Sequence, residues 1–164
     1  MMKHIFYGGA FDPLTVAHER IIKDLHDDYD GRLIVAVTNH DYKQYSKPLE
    51  WRLKMVREYC EHLTSWDFFG RVNIVVQDCR TWDFFEKTSL NVGTIVIGMD
   101  EWKDLNDGKW HHADELLSKY RFLVLPRTGD VSSTKVRQLI SDGVSESEIR
   151  KYVSQRVYNG LFEK

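Results

Sequence analysis

The stretch at residues 7–19, YGGAFDPLTVAHE, decides how this chain folds. The apolar run that leads into it predicts a buried strand, and Gly8 and Gly9 predict a tight turn where that strand ends. Apolar residues recur every four positions beyond the turn, at Ala17, Ile21 and Leu25. This spacing predicts a helix with one apolar face. The stretch is therefore the strand-to-helix half of a parallel βαβ unit.

Further short apolar runs of strand length follow along the chain: RLIVAVT, RVNIVVQD, TIVIGMD and RFLVLPR. Helical patterns lie between them, including a stripe at Leu49, Leu53, Val56, Cys60 and Leu63, and the segment ADELLSKY. A capped helix that ends at Gly143 and one last helix over residues 145–161 complete the pattern. Alternating strands and helices predict a single doubly wound, Rossmann-like α/β domain over residues 1–164, with a five-stranded, mainly parallel sheet and C-terminal helices.

The predicted topology also places the ligand site. Open parallel sheets bind ligands beyond the carboxyl ends of their strands. The segments that follow strands one, two, four and five are GGAFDP, NHDYK, GMDEW and PRTGDVSST. These are the segments richest in glycine and polar residues, so fold and chemistry point to the same edge.

Composition excludes several classes of protein. The 164 residues carry a net charge of −2, which gives no electrostatic footprint for nucleic acid. The sequence has no apolar run long enough to span a membrane and no apolar leader at its start, so we expect no membrane partner. Cys60 and Cys79 lack metal-binding or redox spacing, and we expect reduced thiols in a cytoplasmic protein.

Two groups of polar side chains could hold an anion. Thr15 and His18 lie three residues apart at a predicted helix start, where a hydroxyl and an imidazole can both donate to phosphate oxygens. The alternative is a helix cap and a packed histidine. Ser132, Ser133 and Thr134 begin a second helix, with Arg137 one turn later. That group fits either phosphate binding or simple capping.

The remaining candidates are weaker when each is taken alone. Lys43 follows the second strand, where it is either a phosphate ligand or a solvated lysine. Trp110 stands in a polar segment, where an indole ring must pack or stack. For His111 and His112 we favour surface histidines over a zinc site, because adjacent residues of a helix point in different directions.

The two helix-start motifs together resemble the signatures of the nucleotidyltransferase superfamily. GGAFDPLTVAH is similar to the pattern GG(S/T)FDPxHxGH, and VSSTKVR is similar to ISSTxxR. The segment IVIGMDEW, the later KWHHADELLSKYRFLVLPR and the tail RKYVSQRVYNGLF resemble the nicotinate-nucleotide adenylyltransferases. The resemblance covers most of the chain.

The resemblance implies transfer of AMP from ATP to nicotinate or nicotinamide mononucleotide in NAD biosynthesis, with Mg²⁺ accompanying ATP. It implies catalytic roles for His18, Thr15 and Arg137. It implies ATP contacts for Gly8, Gly9, Phe11, Gly98, Asp100, Arg127, Ser132, Ser133 and Thr134. It implies acceptor contacts for Lys43, Trp110 and Arg52, and no metal held by the protein alone.

Two positions depart from the first signature, since Thr15 stands for its first histidine and Ala17 for its glycine. Thr15 is typical of the pantetheine-phosphate adenylyltransferases, whose loop lysine and helix arginine also match Lys43 and Arg52. A phosphopantetheine acceptor is therefore the first alternative. A nucleotide-binding domain without turnover is the second, and a homo-oligomer is left open.

Overall fold

The computed structural model describes residues 3–29, 31–63, 70–126 and 132–163. One five-stranded sheet organises it. The strands are β1 (His4–Gly9), β2 (Leu33–Thr38), β3 (Val72–Gln77), β4 (Val92–Gly98) and β5 (Arg121–Leu125). Every pairing is parallel, in the order β3-β2-β1-β4-β5. The predicted doubly wound α/β fold is confirmed, and its sheet is parallel throughout.

Helices cover both faces of the sheet. In chain order they are α1 (Val16–Asp28), α2 (Leu49–Leu63), α3 (Thr81–Lys87), α4 (Met99–Asn106), α5 (Ala113–Lys119), α6 (Ser133–Ser141), α7 (Glu146–Ile149) and α8 (Gln155–Leu161). No helix in the described ranges is both long and apolar enough to cross a membrane.

Alternate side chains of the strands separate two apolar cores. Ile5 and Tyr7 of β1 pack with α1, α2 and the C-terminal helices. Phe6, between them, faces the other core, where its ring meets Phe85 edge-on at 4.8 Å. Because strand side chains alternate with period two, nearly every residue of a central strand is buried on one face or the other. This explains the continuous apolar runs in the sequence.

The strand order fixes where a ligand can enter. The connections from β1 to β2 and from β2 to β3 move in one direction across the sheet, while β4 lies on the other side of β1. The turn after β1 and the turn after β4 therefore separate and leave a crevice at the carboxyl edge between these strands.

Three helical segments differ from the sequence-based expectation. The last helix is two helices, α7 and α8, because the backbone between them is used elsewhere: the carbonyl of Tyr152 accepts a hydrogen bond from the Val16 amide at 2.8 Å. Helices α3 and α4 were not predicted, since both are short and follow directly on strand ends, in segments assigned to loops. Asp100 consequently lies in the first turn of α4 and not at the end of a strand.

Candidate active site

Thr15 and His18 cap the first helix together. The Thr15 hydroxyl accepts a hydrogen bond from the backbone amide of His18 at 3.3 Å, and the Thr15 amide donates to His18 Nδ1 at 3.0 Å. This is a capping box with histidine in the position that is usually Glu or Gln. Because Nδ1 accepts a hydrogen bond from the Thr15 amide, the neutral imidazole carries its own proton on Nε2. The cap thus orients a neutral N–H donor at the start of α1.

Burial keeps this imidazole uncharged. Thr15 has no exposed surface, and the His18 ring packs edge-on against Phe11 with centroids 5.1 Å apart. Desolvation lowers the pKa of His18 to about 4. Near neutral pH, His18 is therefore a neutral imidazole whose Nε2–H can donate a hydrogen bond at the positive end of the helix dipole.

The second predicted motif reaches the same turn from the other end of the chain. Ser132 caps α6 by accepting from the Lys135 amide at 3.1 Å. Ser133 Oγ donates to the carbonyl of Pro13 at 2.8 Å, and Arg137 Nη1 donates to the carbonyl of Asp12 at 2.7 Å. The starts of α1 and α6 therefore lie side by side, and the two motifs are joined by direct hydrogen bonds.

Arg137 retains donors after these contacts. Its Nη2 bonds Thr134 Oγ1 at 3.1 Å, so two of its five N–H groups are engaged by acceptors in the described chain. Ser132 and Thr134 are exposed at the same helix start. An anion here would meet hydroxyls, the free amides of α6 and a fixed guanidinium.

Arg52 holds the two loops of this edge together from beneath. Its side chain is fully buried, and its guanidinium donates to the carbonyls of Ala10 at 3.0 Å and Thr38 at 2.7 Å. Its Nε also donates to the carbonyl of Lys47 at 3.0 Å. The Tyr45 ring covers it at 3.9 Å. This arrangement gives Arg52 a structural task, and its contact with an acceptor stays a prediction.

The Asp12 carboxylate completes the same connection from the first loop. It accepts the backbone amides of Ser46 at 2.6 Å and Lys47 at 2.9 Å. Burial of the Arg52 guanidinium lowers its pKa, and the negative charge of Asp12, which is itself buried, partly offsets that shift. The loops after β1 and β2 are thus one rigid unit.

A cavity of about 430 Å³ opens beside this unit at the carboxyl edge of the sheet. Backbone of Gly8, Gly9 and Ala10 forms one wall, and Trp110 and His111 form part of another. Cationic and polar side chains also line it, namely His40, Lys43, Gln77, Arg80, Thr81 and Glu101. The turn at residues 8–15 joins the cavity to the hydrogen-bond donors at the starts of α1 and α6.

The structure brings most of the predicted site residues to this edge. Gly8, Gly9, Lys43 and Trp110 line the cavity. A Cβ on Gly8 would lie 3.2 Å from the Phe6 ring, and one on Gly9 would lie 3.2 Å from the Phe11 ring, so a larger residue at either position would require the ring to shift by a few tenths of an ångström.

Other predicted residues lie near the cavity without lining it. Phe11 is buried beneath His18 in a left-handed conformation with φ of 50°. Gly98 precedes α4, and its amide donates to Glu101 at 3.4 Å. Asp100 is exposed on the first turn of that helix. Arg127 lies outside the described residues.

Sequence reasoning missed the contribution of the third strand. Gln77 ends β3, and Arg80 and Thr81 follow it into the cavity wall. Because β3 is parallel to β2 and adjacent to it, its carboxyl end reaches the same edge. The segment QDCRT carried the signal, and the rule used for the other four strands would have found it.

Replacing Arg52 with Met should lower the free energy of unfolding by about 3 kcal/mol, because the buried carbonyls of Ala10, Thr38 and Lys47 would lose their donor. Urea denaturation measures this change. Arg57→Met, at an exposed position of the same helix, is the matched control and should change stability by no more than about 0.5 kcal/mol. Equal effects of the two variants would contradict the structural task.

Replacing His18 with Gln should remove a pH-dependent loss of stability. Below pH 6.5 an unfolded histidine takes up a proton, while native His18 stays neutral down to about pH 4. The wild type should therefore lose stability relative to His18→Gln as pH falls from 6.5 towards 4, by up to about 1.4 kcal/mol per pH unit. Above pH 6.5 the difference should be flat.

Denaturation midpoints measured across this range test the prediction. Gln is a usual residue at this place in a capping box, so the helix start should persist. His62→Gln, which removes an exposed histidine, reports the effect of the substitution itself. A difference between wild type and His18→Gln that does not vary with pH would contradict the burial of a neutral imidazole.

Known proteins are similar to this chain over most of its length. A family profile described as cytidylyltransferase-like matches residues 6–151. A probable nicotinate-nucleotide adenylyltransferase of Acholeplasma laidlawii is 28% identical, over 93% of this chain and 87% of its own length. A phosphopantetheine adenylyltransferase of Haemophilus influenzae strain PittEE is 36% identical, over 98% of each chain.

Solved structures share the fold. A nicotinic acid mononucleotide adenylyltransferase of Plasmodium falciparum, complexed with APC, superposes with a TM-score of 0.73 at 16% identity, over 99% of this chain and 96% of its own. A putative nicotinate-nucleotide adenylyltransferase from Vibrio parahaemolyticus gives a TM-score of 0.71 at 21% identity, over 99% of this chain and 100% of its own. The chain belongs to the cytidylyltransferase-like family of the nucleotidyltransferase superfamily.

Proposed function

We propose that this protein transfers AMP from ATP to nicotinate mononucleotide and releases pyrophosphate. The observation that carries the proposal is the adjacency of two elements: the paired helix starts of α1 and α6, and the cavity that holds Trp110 and the cations Lys43 and Arg80. The helix starts suit a polyphosphate. The cavity suits a flat ring that bears negative charge.

The reaction needs no covalent intermediate on the protein. A phosphate oxygen of the acceptor attacks the α-phosphorus of ATP in line, and a new phosphorus–oxygen bond forms. The bond between the α-phosphorus and the bridging oxygen breaks, and pyrophosphate leaves with the electron pair. Positioning and charge stabilisation account for catalysis of such a transfer. Hydrogen-bond donors are therefore the groups to look for.

We assign the central donor role to His18. Its Nε2–H is neutral, held in place by the Thr15 cap and aided by the helix dipole, so it can stabilise charge that develops on phosphate oxygens. Arg137 would bind the departing pyrophosphate with its remaining N–H groups, together with the hydroxyls at the start of α6. The bonds of Arg137 and Ser133 to residues 12 and 13 keep both groups in register.

The acceptor side supports a pyridine nucleotide. Trp110 is half-buried in the cavity wall, where its indole face can stack on an aromatic ring. Lys43 and Arg80 line the same cavity and offer positive charge to a phosphate and a carboxylate. Phosphopantetheine has no aromatic ring, so it would leave the indole face without a stacking partner.

A second acceptor has specific support. The Haemophilus influenzae relative at 36% identity is a phosphopantetheine adenylyltransferase, and Thr15 matches the variant typical of such enzymes. The adenylyl transfer step, with its donors on α1 and α6, is the same for both acceptors. The two candidates differ only in what the cavity binds.

Mg²⁺ remains a prediction that accompanies ATP. Asp12 lies in the turn after β1, three residues before Thr15, and both its carboxylate oxygens are engaged by the Ser46 and Lys47 amides. Oxygen ligands for Mg²⁺ would thus be phosphate oxygens and water, as is usual for nucleotide-bound Mg²⁺. A cytoplasmic location rests on the expectation that Cys60 and Cys79 are reduced, and it also stays a prediction.

Replacing His18 with Ala should lower kcat for pyrophosphate release by about 100-fold or more, the scale of losing one preorganised donor to developing charge. Far-UV circular dichroism and a thermal melt check that the variant is folded. His62→Ala is the control. Turnover near that of the wild type in folded His18→Ala would remove the proposed role.

A panel of acceptors should identify the substrate. With ATP and Mg²⁺, we expect pyrophosphate release with nicotinate mononucleotide, and Trp110→Ala should raise the KM for that acceptor about tenfold while Trp110→Phe retains most of the affinity. Release with 4′-phosphopantetheine alone would establish the second acceptor. Binding of ATP without release for any acceptor would indicate a nucleotide-binding domain and overturn the proposal.

A further inference from the structure

Asp83, His111 and His112 bring three metal-ligand side chains together outside the predicted phosphate site. One ligand atom from each lies within 4.8 Å of the others. His111 Nε2 is 3.3 Å from the Asp83 carboxylate, and the rings of His111 and His112 have centroids 4.2 Å apart at 78°. Among the described residues this is the one such group of three.

The backbone explains how two adjacent histidines converge. Both lie in the turn before α5, and His112 has φ of 56° and ψ of 42° in the left-handed region. Our sequence-based preference for two unrelated surface histidines assumed a regular helix, in which neighbours diverge. A left-handed residue, which a non-glycine side chain adopts at a cost, turns the second ring towards the first.

We propose that Asp83, His111 and His112 bind one divalent transition-metal ion of the Zn²⁺ class. Two donors at about 2.1 Å from a tetrahedral ion stand roughly 3.4 Å apart. The His111–Asp83 pair already has this separation, at 3.3 Å. The third donor, within 4.8 Å, needs only a side-chain adjustment on an exposed surface. Water would supply the fourth ligand.

The surroundings favour a bound cation. The carboxylate of Glu115 lies 3.3 Å from His112 Nδ1 and adds negative charge beside the group. The Trp82 ring stacks on His112 with centroids 5.3 Å apart at 27°, which restrains the imidazole. Lys119 Nζ lies 5.5 Å from the centroid of the Trp82 ring, and its charge is balanced by the Glu86 carboxylate at 3.8 Å.

The donor set separates this site from the Mg²⁺ expected with ATP. Imidazole nitrogen suits Zn²⁺, Ni²⁺ and Cu²⁺, whereas Mg²⁺ prefers oxygen ligands alone. His111 also lines the cavity next to Trp110, so an ion here would tie α3 to the turn that forms the cavity wall. The site itself does not depend on which acceptor the enzyme uses.

Calorimetric titration of the metal-free protein with Zn²⁺, in buffer that contains millimolar Mg²⁺, tests the proposal. We expect one equivalent to bind, with affinity at least tenfold lower in His112→Ala and in Asp83→Asn, the scale on which metal-site substitutions act. The melting temperature should rise with Zn²⁺ in the wild type and not in either variant, because an ion that binds only the native state stabilises it.

Two control variants make the result specific. His62→Ala removes an exposed histidine elsewhere, and Cys79→Ser removes the half-buried thiol that follows β3. Both should bind Zn²⁺ as the wild type does. The proposal is overturned if the wild type takes up no Zn²⁺, if His112→Ala and Asp83→Asn bind it equally well, or if Cys79→Ser abolishes binding. None of these readouts requires turnover, so they are independent of the proposed adenylyl transfer.

Discussion

The guanidinium of Arg52 is the contact on which the ligand edge of this protein depends. It is the largest of the fully buried side chains, and it donates to backbone carbonyls of the loops after β1 and β2. An arginine in such a position must satisfy its donors, and here three backbone carbonyls and the side-chain oxygen of Asn39 accept them. Because the buried guanidinium must keep these hydrogen bonds, it fixes the geometry of two loops that have no regular secondary structure. The Asp12 carboxylate, in the loop after β1, makes a second link by accepting hydrogen bonds from the amides of Ser46 and Lys47 in the loop after β2.

Fixed loops matter because the proposed chemistry depends on placement. A transfer that uses no nucleophile of its own gains rate from donors that are already aimed, and each donor must be held without competing acceptors. Thr15 and His18 satisfy each other through the cap, which leaves the Nε2 proton of His18 for a ligand. Arg137 and Ser133 bond the carbonyls of residues 12 and 13, so the second helix start is positioned by the first turn. The two motifs, more than a hundred residues apart in sequence, are therefore held in register by direct hydrogen bonds.

The fold and the hydrogen-bond donors at the two helix starts could be predicted from the sequence because both follow from local periodicity and helix-capping chemistry. Apolar runs gave all five strands, and the two capped helix starts gave Thr15, His18, Ser132 and Ser133. Local patterns do not show which way an individual side chain points once the elements have packed. Arg52 looks like a helix-surface residue in a pattern of leucines, yet α2 turns the face with Arg52, Met55, Val56 and Cys60 towards the core. Likewise nothing local in the pair His111–His112 signals the left-handed turn that makes their rings converge.

The same distinction explains why the acceptor is harder to read than the reaction. The prediction of adenylyl transfer rests on hydrogen-bond donors at two helix starts, and within each helix start these residues are close together in the sequence. The choice of acceptor depends instead on the cavity wall, where side chains of the segments that follow β2 and β3 meet Trp110, which precedes α5. Trp110 faces a cavity that also holds the cations Lys43 and Arg80 and the carboxylate of Glu101. A flat anionic ring would use both the stacking surface and the cations, whereas a flexible chain would use the cations alone. In the proposed function, binding energy from the indole would therefore separate a pyridine nucleotide from phosphopantetheine, and the single side chain of Trp110 would carry that specificity.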